Sequence, residues 1–200
     1  MSATSRKRSP SRRKPASRQN NRSSMDAVSL LKKDHQTVRQ LLGRLESSAE
    51  NRHRDSTTLL RQIENELKVH TQIEEQIFYP AFKDAVEGKE DEHLYYEALV
   101  EHHVVDLVLR ELKSSANNSE EFAAKAKVLK DLVEHHAEEE ETEMFPKARR
   151  AMGTAELREL GHQLQERKQE LAAGFTGRIE KILQPFIREA RNQQRRRRAA

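Results

Sequence analysis

The chain has no cysteine and no tryptophan, and only six phenylalanines and three tyrosines among its 200 residues. Each absence excludes something. Without thiols there can be no disulfide, thiolate metal site, iron–sulfur ligation or cysteine nucleophile, so any metal must be held by nitrogen and oxygen. With aromatics at 4%, no large stacking pocket for bases or sugars is expected. No run of about eighteen apolar residues occurs, so neither a membrane span nor a membrane partner is expected. The N-terminus also lacks the apolar centre of a secretory signal. Its Arg- and Ser-rich, acid-free composition overlaps that of an organellar transit peptide, but it holds almost nothing apolar from which to build an amphipathic helix. The expected location is cytoplasmic.

What is present is charge and helix-forming sequence. Charged residues make up 35% and hydrophobic residues 34%, with six Gly and five Pro. That composition suits a helical bundle with long solvated faces and does not suit a sheet. The net charge of +4 hides an asymmetry: residues 1–24 carry +8 and residues 188–200 carry +5, which leaves 25–187 at −9. An acidic body therefore lies between two basic ends. The expected organisation is a disordered basic tail over 1–24, a four-helix bundle over 25–153, an amphipathic C-terminal helix over 154–187 and a second basic tail over 188–200. Clustered Lys and Arg would bind a phosphate backbone without sequence preference, so nucleic acid is one candidate partner of the tails and a purely solubilising role is the other. The sequence does not set an oligomeric state.

The body contains an internal repeat. His70-Thr-Gln-Ile-Glu74 is echoed by His136-Ala-Glu-Glu-Glu140, and ten residues after each His comes a proline, Pro80 and Pro146. A lone His precedes each copy on another helical run, His35 and His102. The four runs space their apolar residues three and four apart, the signature of a bundle seam. They read Val28, Leu31, His35, Val38, Leu42, Leu45; then Leu60, Ile63, Leu67, His70, Glu74, Ile77, Ala81. The third is Ala98, His102, Val105, Leu109, Leu112, and the fourth Phe122, Ala126, Leu129, Val133, His136, Glu140. The fold expected is all-α, an up-down-up-down four-helix bundle with an additional C-terminal helix. Asp26 or Ser24 should cap the first helix, and Pro80 should kink or tighten the second near its end.

A single His in an apolar seam is ordinarily a core residue; here every run has one. A seam Glu is harder to accommodate, because an unpaired buried carboxylate costs several kcal/mol or must be neutralised. Two such Glu, each one turn after a seam His, call for cations between the helices. Imidazole and carboxylate without thiolate suit iron, manganese or zinc, and two carboxylates able to bridge favour a pair of metals. The order His-x-x-x-Glu differs from the Glu-x-x-His of ferritin-like di-iron bundles.

The segments KKDHQTVRQLL, HTQIEEQIFYP, EHHVVDLVLREL and EHHAEEEETEMFPKAR, spread over roughly residues 26–153, resemble the hemerythrin-like, His-His-Glu cation-binding family. The resemblance implies a non-haem di-iron centre, oxo- or hydroxo-bridged, with His35, His70, Glu74, His102, His136 and Glu140 as ligands and both Glu bridging. Oxygen-carrying members have a further His one turn after the third-helix ligand, where this chain has Asp106. That departure moves the expectation from reversible O2 carriage towards the bacterial domain type. His103 and His135 are expected to be exposed, Glu75 and Glu141 to be surface residues, and Tyr79 and Phe145 to be core or rim packing. Tyr79 would also be within reach of such a centre as a hydrogen-bond donor or redox partner. The resulting expectation is a di-iron protein that binds or reduces O2, peroxide or nitric oxide, in oxidative or nitrosative stress or in iron homeostasis. If an enzyme, it would be a catalase- or peroxidase-like or nitric-oxide-handling oxidoreductase, with no general acid or base evident outside the ligands. The other readings are a non-enzymatic oxygen or iron sensor whose basic tails contact DNA or a partner, and a bundle whose His and Glu are incidental.

Overall fold

A computed structural model describes residues 25–50, 56–117 and 119–174. Both basic tails, the distal part of the expected C-terminal helix and His53 lie outside the described residues. Within them every regular element is helical. The long helices are α1 (Ala27–Glu50), α2 (Ser56–Ile73), α4 (Lys89–Ser114) and α5 (Glu120–Glu139). Two short helices, α3 (Tyr79–Ala85) and α6 (Phe145–Ala151), continue α2 and α5 beyond a widened turn, and α7 spans 154–174.

The helix starts follow ordinary capping chemistry. Asp26 accepts the Ser29 N–H at 2.9 Å and Ser119 accepts that of Phe122 at 3.0 Å, each satisfying an amide that the first turn leaves unpaired. Gly88, at φ 138°, turns the chain from α3 into α4 in a region that disfavours a Cβ.

Two apolar cores divide the bundle along its axis. One contains Leu31, Ile73, Ala98 and Met144; the other contains Val38, Leu67, Val105 and Val133. Passing from the first core to the second, α1 meets His35 and α4 meets His102. In the opposite sense α2 meets His70 and α5 meets His136. The four helices therefore alternate in direction, up-down-up-down, and the seam histidines form one layer between the two cores. Around the bundle, α1 packs on α2 and α5, and α5 packs on α4.

Pro80 acts differently from expectation, and Pro146 acts as Pro80 does. Pro80 was expected to kink or tighten its helix; instead the backbone widens just before each proline into a π-turn, Glu74–Phe78 and Glu140–Met144. In each, the amide five residues on, Tyr79 or Phe145, bonds back to the Glu carbonyl. A proline lacks the N–H for the regular bond and its ring clashes with the carbonyl four residues back, so a wider turn relieves both. The extra residue shifts the inward phase. Phe78, Tyr79 and Phe82 are buried, while Ile77 and Ala81, which simple spacing placed in the seam, are only partly so.

The C-terminal helix covers one end of the bundle. Leu157, Leu160 and Leu164 join the core that holds Ala27, Val28, Leu30 and Leu31. The approach is close: a Cβ on Gly161 would lie 2.2 Å from the Met25 carbonyl oxygen and 2.8 Å from the Ala27 amide nitrogen. Gly161→Ala is expected to cost about 1–3 kcal/mol of stability in denaturant unfolding, since backbone on the far side cannot yield as a flexible side chain would.

Candidate metal centre

The six seam residues predicted as ligands meet in one layer. His35, His70, Glu74, His102, His136 and Glu140 are all buried. They form two donor groups, His35–His70–Glu74–Glu140 and Glu74–His102–His136, in each of which the donor atoms lie within 4.8 Å of one another. Glu74 belongs to both. Its Oε1 is 3.1 Å from His70 Nε2, and its Oε2 is 3.4 Å from His102 Nε2. Glu140 Oε2 is 3.1 Å from His35 Nε2 and 3.7 Å from His136 Nε2. His102 Nε2 and His136 Nε2 face each other at 3.0 Å. Each His-to-Glu spacing of four places both groups on one helix face.

The donor set fits cations. His35 Nε2, His70 Nε2, both oxygens of Glu74 and Glu140 Oε2 are buried and make no hydrogen bond. Leaving polar atoms unpaired in an apolar interior is costly unless something else satisfies them, and a metal ion at the point where these lone pairs converge does so. Two nitrogen–oxygen groups sharing a carboxylate suit two ions.

Behind the imidazoles lies a feature the sequence reading missed. It placed Glu75 and Glu141 on the surface, and their positions are indeed peripheral, with side chains 42% and 23% exposed. Their carboxylates nevertheless reach inward, because the donor Glu ahead of each ends its α-helix and the following turn swings the next residue towards the neighbouring helix. His102 Nδ1–H donates to Glu75 at 2.9 Å and His35 Nδ1–H to Glu141 at 2.9 Å. His136 Nδ1–H donates to Glu101 at 2.7 Å, and Asp34 lies 3.8 Å from His70 Nδ1. Every imidazole thus turns Nε2 inward and Nδ1 towards a carboxylate, and in the three closed contacts the hydrogen bond fixes a ligating tautomer. The signal was in the repeat: Asp34 and Glu101 are 67 apart and Glu75 and Glu141 are 66 apart, as the ligands are.

Tyr79 also reaches the layer. Packing was one expected role and hydrogen-bond donation near the centre the other; the π-turn carries its hydroxyl into the layer, which answers to the second. There it donates to Glu140 Oε1 at 2.9 Å and lies 3.3 Å from His102 Nε2. Its repeat equivalent, Phe145, stacks on His35 at 5.7 Å. The surrounding positions are quieter. His103 is exposed, His135 is exposed against Glu101 and Glu139, and Asp106 pairs with Arg110 rather than reaching the layer.

Charge in the layer is arranged for cations. Burial pulls the His35 imidazole down, but the adjoining Glu140 and Glu74 carboxylates outweigh it and raise its pKa from 6.5 to about 10. His102 is depressed by burial and lifted by Glu74 and Glu75 to about 9. Glu74 is pushed up by burial and held well below its ordinary value by the His70 charge and the neighbouring His102 and His35 imidazoles. Burial, then the charges of Glu140 and Glu74, keep the Tyr79 phenol well above its usual value, so it remains protonated.

Fold and layer together define a helical-bundle protein with a buried nitrogen–oxygen site for cations. The chain belongs to the hemerythrin HHE cation binding domain family, whose model matches residues 26–148; the domain binds metal cations, usually iron. It is 30% identical over 148 residues to the uncharacterized protein Rv2633c of Mycobacterium tuberculosis, and equally to Mb2666c of Mycobacterium bovis, over 74% of this chain and 88% of theirs. The crystal structure of a hemerythrin HHE cation binding domain-containing protein from Mycobacterium kansasii, an Rv2633c homolog, is similar at 26% identity and a TM-score of 0.65. That match covers 75% of this chain and 89% of the other.

In the metal-free protein, the raised pKa values of His35 and His102 contribute stability that is complete below their unfolded value of 6.5. It is lost as pH rises through about 9 and 10. At neutral pH both rings carry protons that a metal must displace. Loading is therefore expected to release protons, measurable as acidification of weakly buffered protein, and the alkaline loss of stability should fade in loaded protein.

Proposed function

We propose that His35, His70, Glu74, His102, His136 and Glu140 hold two non-haem irons, and that the chain binds or reduces a small oxidant: O2, peroxide or nitric oxide. The observation that carries this reading is the set of inward nitrogen and oxygen atoms, buried and without hydrogen bonds, in two groups joined by Glu74. Bound there, two irons would supply the electrons for chemistry at an O–O or N–O bond.

The chain's own residues supply the rest. All four imidazoles line a cavity of about 20 Å³ whose other walls include Val38, Leu67, Val105 and Val133. About 10–15 Å³ admits one water, so this space suits a diatomic molecule or peroxide and rejects an organic hydroperoxide. The apolar walls exclude bulk water and strengthen electrostatic interactions inside. The carboxylates at Nδ1 keep the imidazoles oriented. Tyr79 holds a proton at its hydroxyl, beside Glu140, where a guest bound in the layer needs one.

A second reading, a non-enzymatic iron or oxygen sensor, is favoured by the placement of one imidazole on each of the four long helices. Gain or loss of metal would then act on the packing of the whole bundle.

Protein purified aerobically is expected to carry two irons per chain with oxo-to-iron charge-transfer absorption, both lost in His70→Ala and in Glu140→Ala. Retention of iron and bands in both variants would refute the assignment. With iron confirmed, turnover of peroxide supports the enzyme, and ligand binding without turnover supports the sensor.

Tyr79→Phe should keep its iron, since Phe145 shows that a phenyl ring fits the equivalent slot. It should slow reduction of the small oxidant several-fold, followed in stopped-flow; an unchanged rate would remove Tyr79 from proton delivery.

A further inference from the structure

Three of the four imidazoles are anchored and one is not. The Nδ1 atoms of His136, His35 and His102 lie 2.7, 2.9 and 2.9 Å from their carboxylates. His70 Nδ1 lies 3.8 Å from Asp34 Oδ2, and both atoms are buried without a hydrogen bond. The cause is visible at the other Asp34 oxygen. Oδ1 accepts from Lys168 Nζ at 2.5 Å, a contact made by α7 from outside the residues that the family model matches. Asp34 is also one methylene shorter than Glu101, its repeat equivalent, which does close on its imidazole.

We infer that Lys168 is a positioning residue: by holding Asp34 away from His70 it keeps one ligand of the pair loosely oriented and sets how readily metal leaves the His35–His70 position. An imidazole whose Nδ1–H is bound to a carboxylate is fixed in the Nε2-ligating tautomer and is the more basic ligand, and loss of such a partner typically costs 10–100-fold in affinity or activity. Lys168 imposes part of that loss. The C-terminal helix thereby becomes a control on the centre as well as a cover: any movement of α7 that carries Lys168 off Asp34 frees that carboxylate for His70. The inference rests on the two-metal reading above.

Anaerobic release of iron(II) to a chromogenic chelator tests it on the full chain. Lys168→Met is expected to slow one phase of release by on the order of ten-fold and to leave the other unchanged. Lys168→Arg, which keeps the charge and a donor, should behave as the unaltered chain. Asp34→Glu reaches the same end from the other side, its longer carboxylate closing on His70, and should slow the same phase. Melting of the metal-free variants reports any folding defect separately. Unaltered or faster release in both Lys168→Met and Asp34→Glu overturns the inference, as does Lys168→Arg behaving like Lys168→Met. Two irons per chain with such release kinetics would leave the metal reading standing. A chain that takes up no iron overturns both.

Discussion

The structure depends on the burial of two carboxylates. Glu74 and Glu140 lie between the two apolar cores, with little access to solvent, and both oxygens of Glu74 and Oε2 of Glu140 make no hydrogen bond. In an apolar interior such groups are tolerated only when positive charge is supplied. Four imidazoles surround them, and the raised proton affinity of His35 and His102 shows how strongly the layer demands positive charge. Cations bound at the same point would meet that demand better, because they satisfy several lone pairs at once.

The turns after the two Glu translate this demand into geometry. Each π-turn begins at a donor Glu and ends before a proline, so one backbone feature positions three things. It leaves the Glu in phase with its His, sends the next residue's carboxylate across to an imidazole, and brings in an aromatic ring five residues on. The repeat makes the two halves alike, and the ring breaks the likeness. The first half offers the hydroxyl of Tyr79 to Glu140, whereas the second offers only the face of Phe145 to His35.

The same asymmetry extends outward. On one side the carboxylate at Nδ1 is Glu101, bound to its histidine; on the other it is Asp34, shared with Lys168 of α7. Gly161 lets α7 approach the start of α1, and Arg167 bonds Gln76 within the first π-turn at 3.1 Å. A helix whose apolar residues close one end of the bundle thus also touches the polar shell of the candidate centre.

Much of this was legible in the chain alone. Spacing of three and four, repeated at an offset of 66 to 67, determined four helices and the six inward donors, because phase along one helix is a local property of sequence. Asp26, one of two candidates, announced the first helix start for the same reason. Only tertiary structure decided which carboxylate meets which imidazole, since Glu75 and Glu141 look like solvated acids until the neighbouring helix is in place. It also decided the register through the turns ahead of the prolines: one inserted residue brings the Tyr79 hydroxyl into the layer and moves Ile77 out of the seam, and no spacing rule reports where a helix will widen. The place of α7 was undecided for a related reason. An amphipathic helix declares that it has an apolar face, but what covers that face depends on which surface accepts its shape, here one that a glycine allows it to approach.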